Sequence, residues 1–145
     1  MEENIKNLNE FLSDLEVMTV KLQNYHWNVT GKGFFITHEK LEEYYEEMRE
    51  EIDEIAELIV MKGYEPLGTM KEFLQNSEIQ EAKNEKIKTL EIVNNIIQDF
   101  RTLKQKVMKI KQEAENKSDY AVSSIMDNYL NNYCKKLWML NECVK

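Results

Sequence analysis

Apolar residues recur along the chain in steps of three and four. In the first segment they fall at Ile5, Leu8, Leu12, Leu15, Met18, Leu22 and Tyr25, the spacing that keeps one face of a helix turned to a core. Gly31 and Gly33 break the pattern, so this helix is expected to run to about Asn28. A second helix is expected from near Phe34, with Leu41, Tyr45, Met48, Ile52, Ile55 and Ile59 inward, and to stop at Gly63 before Pro66 and Gly68. The stretch Thr69 to Phe73 suits a short helix. A third periodic run takes in Ile87, Leu90, Ile92, Ile96, Ile97, Phe100, Leu103, Val107 and Ile110, then fades into a polar tract from Gln112 to Lys117. Ser118 is the expected N-cap of a last helix carrying Val122, Ile125, Met126, Tyr129, Tyr133, Leu137, Trp138 and Leu140.

Four long helices with a longer connection between the second and third predict an all-α, ferritin-like four-helix bundle with one crossover and a short extra helix in that connection. Residues 1–145 are expected to form a single such domain, long enough to bury a core without staples. Only four Gly and one Pro leave little punctuation for a many-stranded fold, and 32% charged residues suit long helices. There is no apolar stretch near the roughly 20 residues that span a bilayer. The N-terminus, Met1-Glu2-Glu3-Asn4-Ile5-Lys6, lacks a signal-peptide pattern, so a cytoplasmic location and no membrane partner are expected. Cys134 and Cys143 stand nine residues apart on one helix, about 13 Å by helical rise, beyond the roughly 7 Å limit for a disulfide. Both are expected to be reduced and buried. The net charge of −8 argues against general affinity for nucleic acid and favours attraction of cations.

The chemistry concentrates around His26 and His38, the only two histidines. His26 lies five residues before Gly31 and His38 five after Gly33, so a helical hairpin brings them level. On the second helix Glu42, Asp53 and Glu57 lie about 40°, 60° and 100° round from His38. All can share one side of the helix. Yet Asp53 is about 22 Å from His38 along the axis, while metal–ligand bonds are about 2 Å. One ion cannot collect both from a single straight helix. The hairpin thus offers a histidine half-site at one end and a carboxylate half-site, Asp53 with Glu57, at the other. A two-fold axis beside the second helix would join the halves of two copies into two identical sites. Imidazole and carboxylate together suit iron in oxygen chemistry. An intra-bundle di-iron centre would need Glu-x-x-His steps, but Gln23 and Phe35 stand three residues before the histidines. Taken singly, each histidine or acid reads as an ordinary polar residue. Tyr44 and Tyr45 read as core and interface residues, and the eight Met as packing.

His26-Trp27, the Gly-x-Gly-Phe-Phe turn, His38 and Asp53-Glu54-Ile55-Ala56-Glu57 resemble the signature of Dps proteins, the DNA-binding proteins from starved cells or mini-ferritins. Residues 63–74 look like that family's connection, and Leu137-Trp138-Met139-Leu140 like the end of its last helix. The resemblance implies a homo-oligomeric shell of twelve subunits. It also implies a ferroxidase that oxidises Fe(II), with hydrogen peroxide favoured over oxygen, and stores ferric mineral. Two irons per inter-subunit site and no organic cofactor are expected. By position, His26 and His38 would come from one subunit and Asp53 and Glu57 from its neighbour, with Glu42 where the family commonly has aspartate. Leu58 stands where arginine is often found. Trp27, beside His26, is the candidate to absorb stray oxidising equivalents, with plain packing as its alternative. Asp119, then Asp127, are the candidate acids of a three-fold pore. Members that bind DNA often do so through lysine-rich tails, whereas this sequence opens with Glu2-Glu3 and closes with Cys143-Val144-Lys145, and twelve subunits at −8 each would carry about −96. That charge argues against direct DNA binding. The alternatives are a DNA-compacting Dps and a metal-free helical interaction module. The lysines from Lys83 to Lys111, Lys106 among them, are expected to form a solvated face.

Overall fold

The apolar periodicities become helices whose ends are set by local backbone chemistry. The computed structural model describes residues 2–145. α1 spans Glu3–Asn28 and α2 spans Phe34–Met61, joined by the Gly31–Gly33 turn. Gly33 has φ +82° and stands at the N-cap of α2, a left-handed conformation that side chains with a Cβ resist. At the other end of α2, Gly63 takes φ +89°. The N–H of Gly63 reaches the Val60 carbonyl and that of Tyr64 reaches Ile59, the Schellman closure that satisfies orphan helix carbonyls. α3, Met70–Asn76, extends three residues beyond the expected Phe73. Thr69 and Glu72 cap it reciprocally.

α4 covers Thr89–Asn116 and α5 covers Tyr120–Cys143. The junction corrects the expected cap of the last helix. Ser118 has φ +55° and its N–H bonds Glu115 O, while Asp119 N–H bonds Ala114 O. Ser118 is therefore the left-handed C′ residue that ends α4, and the next residue caps α5: the Asp119 carboxylate accepts from Val122 N–H at 3.4 Å. The same side chain takes the Lys62 ammonium from the end of α2. A two-residue parallel ladder was not anticipated. β1 (Val29–Thr30) pairs with β2 (Ile87–Lys88), Val29 opposite Ile87 and Thr30 opposite Lys88. It ties the first interhelical turn to the start of α4.

The core runs the length of the bundle, with Leu8, Phe11, Leu15, Met18 and Leu22 of α1 against Ile55 and Ile59 of α2, Phe100 and Leu103 of α4, and Met126 and Tyr133 of α5. Three expectations about side chains need correction. Lys106 is only 5% exposed, because Glu10 and Glu78 meet its ammonium at 2.7 and 3.0 Å and offset the cost of burying it. Cys134 and Cys143 are unpaired but exposed, since Tyr133, Leu137 and Leu140 take the inward positions of α5. Trp138 and Leu90, counted into the apolar faces, point outward as well. Between α2 and α5 lies a polar ladder. Lys136 donates to Glu47 at 2.9 Å, Tyr133 to Glu51 at 3.1 Å, and Tyr129 to Glu54. Burial pushes the Glu51 carboxyl up to about 7. Among the described residues no helix is long and apolar enough to cross a membrane.

Candidate metal centre

His26 sits in the last turn of α1 and His38 in the second turn of α2, so the glycine turn sets them face to face. Their rings stack with centroids 3.8 Å apart and planes within 8°. Each imidazole is fixed by the other residue's backbone. His26 Nδ1 is 2.5 Å from His38 O, and His38 Nδ1 is 2.7 Å from His26 O. A carbonyl only accepts, so both Nδ1 atoms carry the proton. In the neutral tautomer this leaves the Nε2 lone pair of each ring free as a metal ligand, the arrangement by which an outer hydrogen bond orients a ligating histidine. His38 also satisfies a carbonyl in the final turn of α1, which lacks a helical partner. Phe34 stacks on His38 at 5.0 Å and 17°. His26 is 7% exposed and His38 half-buried.

Glu42, one turn after His38, lies with Oε1 3.9 Å from His26 Nε2. That is too long for a hydrogen bond, yet two metal–ligand bonds of about 2.1 Å can bridge it. The donor types, two oriented imidazoles and a nearby carboxylate, are those that suit divalent iron, zinc or cobalt. Trp27 follows His26 and is 63% exposed. Asp53 and Glu57 are exposed on α2, Asp53 about 16 Å along the axis from Glu42. Two other acids of this stretch are engaged elsewhere, the buried Glu51 with Tyr133 and the exposed Glu54 with Tyr129. The fold thus sets His26 against His38 and Glu42 beside His26, and keeps Asp53 and Glu57 apart from them. Among the described residues no three His, Cys, Asp or Glu side chains of one chain are grouped to hold an ion. Of the acids singled out for a pore, Asp119 is taken up by its cap and Lys62, and Asp127 pairs with Lys111 at 2.8 Å.

Tyr45 went unrecognised as part of this cluster. Its hydroxyl donates to Glu42 Oε1 at 3.3 Å and its ring meets His26 edge-on. The signal was its position one turn beyond Glu42, which also suits an ordinary core residue. A separate groove of about 720 Å³ opens between α2, α4 and α5 along Ile36, Leu41, Tyr44, Ile92 and Leu140 and includes neither histidine.

Comparison with known proteins agrees with the fold. The ferritin-like domain family matches residues 5–145. The DNA protection during starvation protein 2 of Bacillus anthracis is 39% identical over 137 residues, covering 94% of this chain and 92% of that protein. The crystal structure of antigen TpF1 from Treponema pallidum superposes with a TM-score of 0.96 at 31% identity, over 98% of this chain and 91% of that one. Dps from Staphylococcus aureus gives 0.95 at 30% identity, over 100% and 97%. Bundle, crossover and short helix together define a ferritin-like protein. Within that class, the chain belongs to the Dps family.

Proposed function

We propose that this protein is a ferroxidase and iron store that works as a homo-oligomer, a dodecameric shell with sites at its two-fold interfaces. His26, His38 and Glu42 of one subunit face Asp53 and Glu57 of a neighbour, and each such site takes two Fe(II) ions as substrate, with no organic cofactor. Hydrogen peroxide is the preferred oxidant. Two Fe(II) each give up one electron, the O–O bond breaks, and two protons complete two waters. Coupling both electrons at one site avoids release of hydroxyl radical, so DNA and cell are protected by detoxification rather than by coating. The ferric product is stored as mineral inside the shell, and the protein acts in the cytoplasm.

The observation that carries this reading is the reciprocal Nδ1-to-carbonyl bonding of the two histidines. It spends the hydrogen-bonding capacity of each ring on the backbone and leaves both Nε2 atoms for an ion. Carboxylates stabilise the growing positive charge as Fe(II) becomes Fe(III). Trp27, exposed beside His26, is placed to intercept stray oxidising equivalents.

The test is stopped-flow oxidation of Fe(II) by hydrogen peroxide at two irons per subunit, comparing wild type with His26→Ala/His38→Ala. Sedimentation checks that both are assembled alike. Rapid formation of a ferric species in the wild type alone is expected. Equal, slow rates in two intact assemblies would leave a metal-free helical interaction module as the better reading.

A further inference from the structure

Glu42 poses a physical problem for the centre. A glutamate has one more rotatable bond than the aspartate suggested by family resemblance, so its carboxylate samples more positions and loses more entropy when held in one. It is also half-exposed, with its side chain 49% accessible. Something must hold it if it is to serve beside His26.

The structure supplies that hold. The Tyr45 hydroxyl donates to Glu42 Oε1 at 3.3 Å, and this is the oxygen that faces His26 Nε2 at 3.9 Å. The Tyr45 ring is fixed in turn. It is buried, its neighbour His26 lies edge-on at 5.6 Å and 77°, and the Arg49 guanidinium lies 4.8 Å from its centroid. A cation over the face and an imidazole against the ring leave it little freedom. One aromatic side chain therefore touches both the histidine and the carboxylate that an ion would share.

We propose that Tyr45 is a positioning residue of the candidate centre, holding Glu42 Oε1 opposite His26 Nε2 while Arg49 holds the ring. This rests on the reading of His26 and His38 as Fe(II) ligands. Tyr45 itself stays a donor to Glu42 and is not a ligand. It makes the longer carboxylate as well placed as a shorter one would be.

Tyr45→Phe keeps the ring and its packing on His26 and removes only the donor. The probe is Co(II), whose affinity is read by calorimetry and whose ligand set is read from its visible absorption. Tyr45→Phe is expected to assemble like the wild type, bind Co(II) about tenfold more weakly, the lower range for loss of an outer hydrogen bond, and show an altered visible band. In a Glu42→Ala background the hydroxyl has nothing to hold, so adding Tyr45→Phe is expected to change affinity less than twofold. Wild-type affinity in Tyr45→Phe would overturn the proposal. So would the same loss in both backgrounds, which would assign the effect to packing on His26. A His26→Ala/His38→Ala control separates the two readings. If it binds Co(II) normally, the histidine site fails and this proposal with it. If it loses Co(II) while Tyr45→Phe keeps it, only the role of Tyr45 fails.

Discussion

Asp119 shows how one side chain serves two elements. It caps α5 through Val122 N–H and holds Lys62 at the end of α2. Removing a cap costs about 1 kcal/mol, and the ion pair, with both side chains three-quarters or more shielded, adds a further fraction. Asp119→Ala is therefore expected to lower stability by about 1.5 kcal/mol and Asp119→Asn, which keeps a capping oxygen and loses only the ion pair, by about 0.5 kcal/mol. Urea midpoints at fixed protein concentration measure both. Equal losses would mean that the cap contributes nothing. The sequence pointed to Ser118 because Ser and Asp are both good caps; only the left-handed backbone that ends α4 decides between neighbours. Lys106 was illegible for a related reason. Its partners Glu10 and Glu78 are 96 and 28 residues away, so nothing near it in the chain announces burial. His26 and His38, by contrast, were legible because their pairing depends only on equal spacing from a glycine turn. The contact from Tyr45 to Glu42 depends on rotamers, which spacing does not reveal.

At the level of elements, the glycine turn does more than end a helix. Gly33 sets the direction in which α2 departs and hence where His38 meets His26. A Cβ at Gly33 would meet Thr89 Oγ1 at 3.5 Å, an ordinary contact, so the cost of alanine there lies in its φ of +82°. Gly63 has φ +89° with open space around it. Each alanine substitution is expected to cost about 1 kcal/mol, read as a fall in the thermal midpoint. Only Gly33→Ala is expected to weaken Co(II) binding as well, because only that turn carries the imidazoles. Parallel losses of Co(II) affinity in both would show that the effect is global. The four long helices were plain from their periodicity, and the short one was anticipated as far as Phe73. The β1–β2 ladder was not, since two residues have no period.

For the whole molecule, buried acids make stability depend on pH. Asp14 is completely buried, where its Oδ1 accepts from Glu78 N–H at 2.7 Å and Ser77 at 2.9 Å and anchors the connection after α3. Desolvation raises its carboxyl to about 6 from an ordinary 3.8, despite those hydrogen bonds and Lys106. Between these values the folded chain holds a proton that the unfolded chain releases, so stability falls as pH rises through this window and the loss is complete above about 6. The shift corresponds to about 3 kcal/mol at most. Asp14→Asn keeps the accepting oxygen and removes the charge. The difference in its urea midpoints between pH 4 and pH 7 is expected to be smaller than in wild type. An unchanged difference would assign the pH dependence to other buried acids, such as Asp99, also raised by burial. The histidine pair behaves differently, being assembled by backbone carbonyls and not by an ion. Its two rings are already aligned when the hairpin folds, so in the proposed centre an arriving Fe(II) would not bear the ordering cost of that half of the site. If iron is taken up at the proposed inter-subunit centre, the speed of capture where iron is scarce would depend on encounter and on how firmly two subunits stay joined, not on a slow rearrangement within either one.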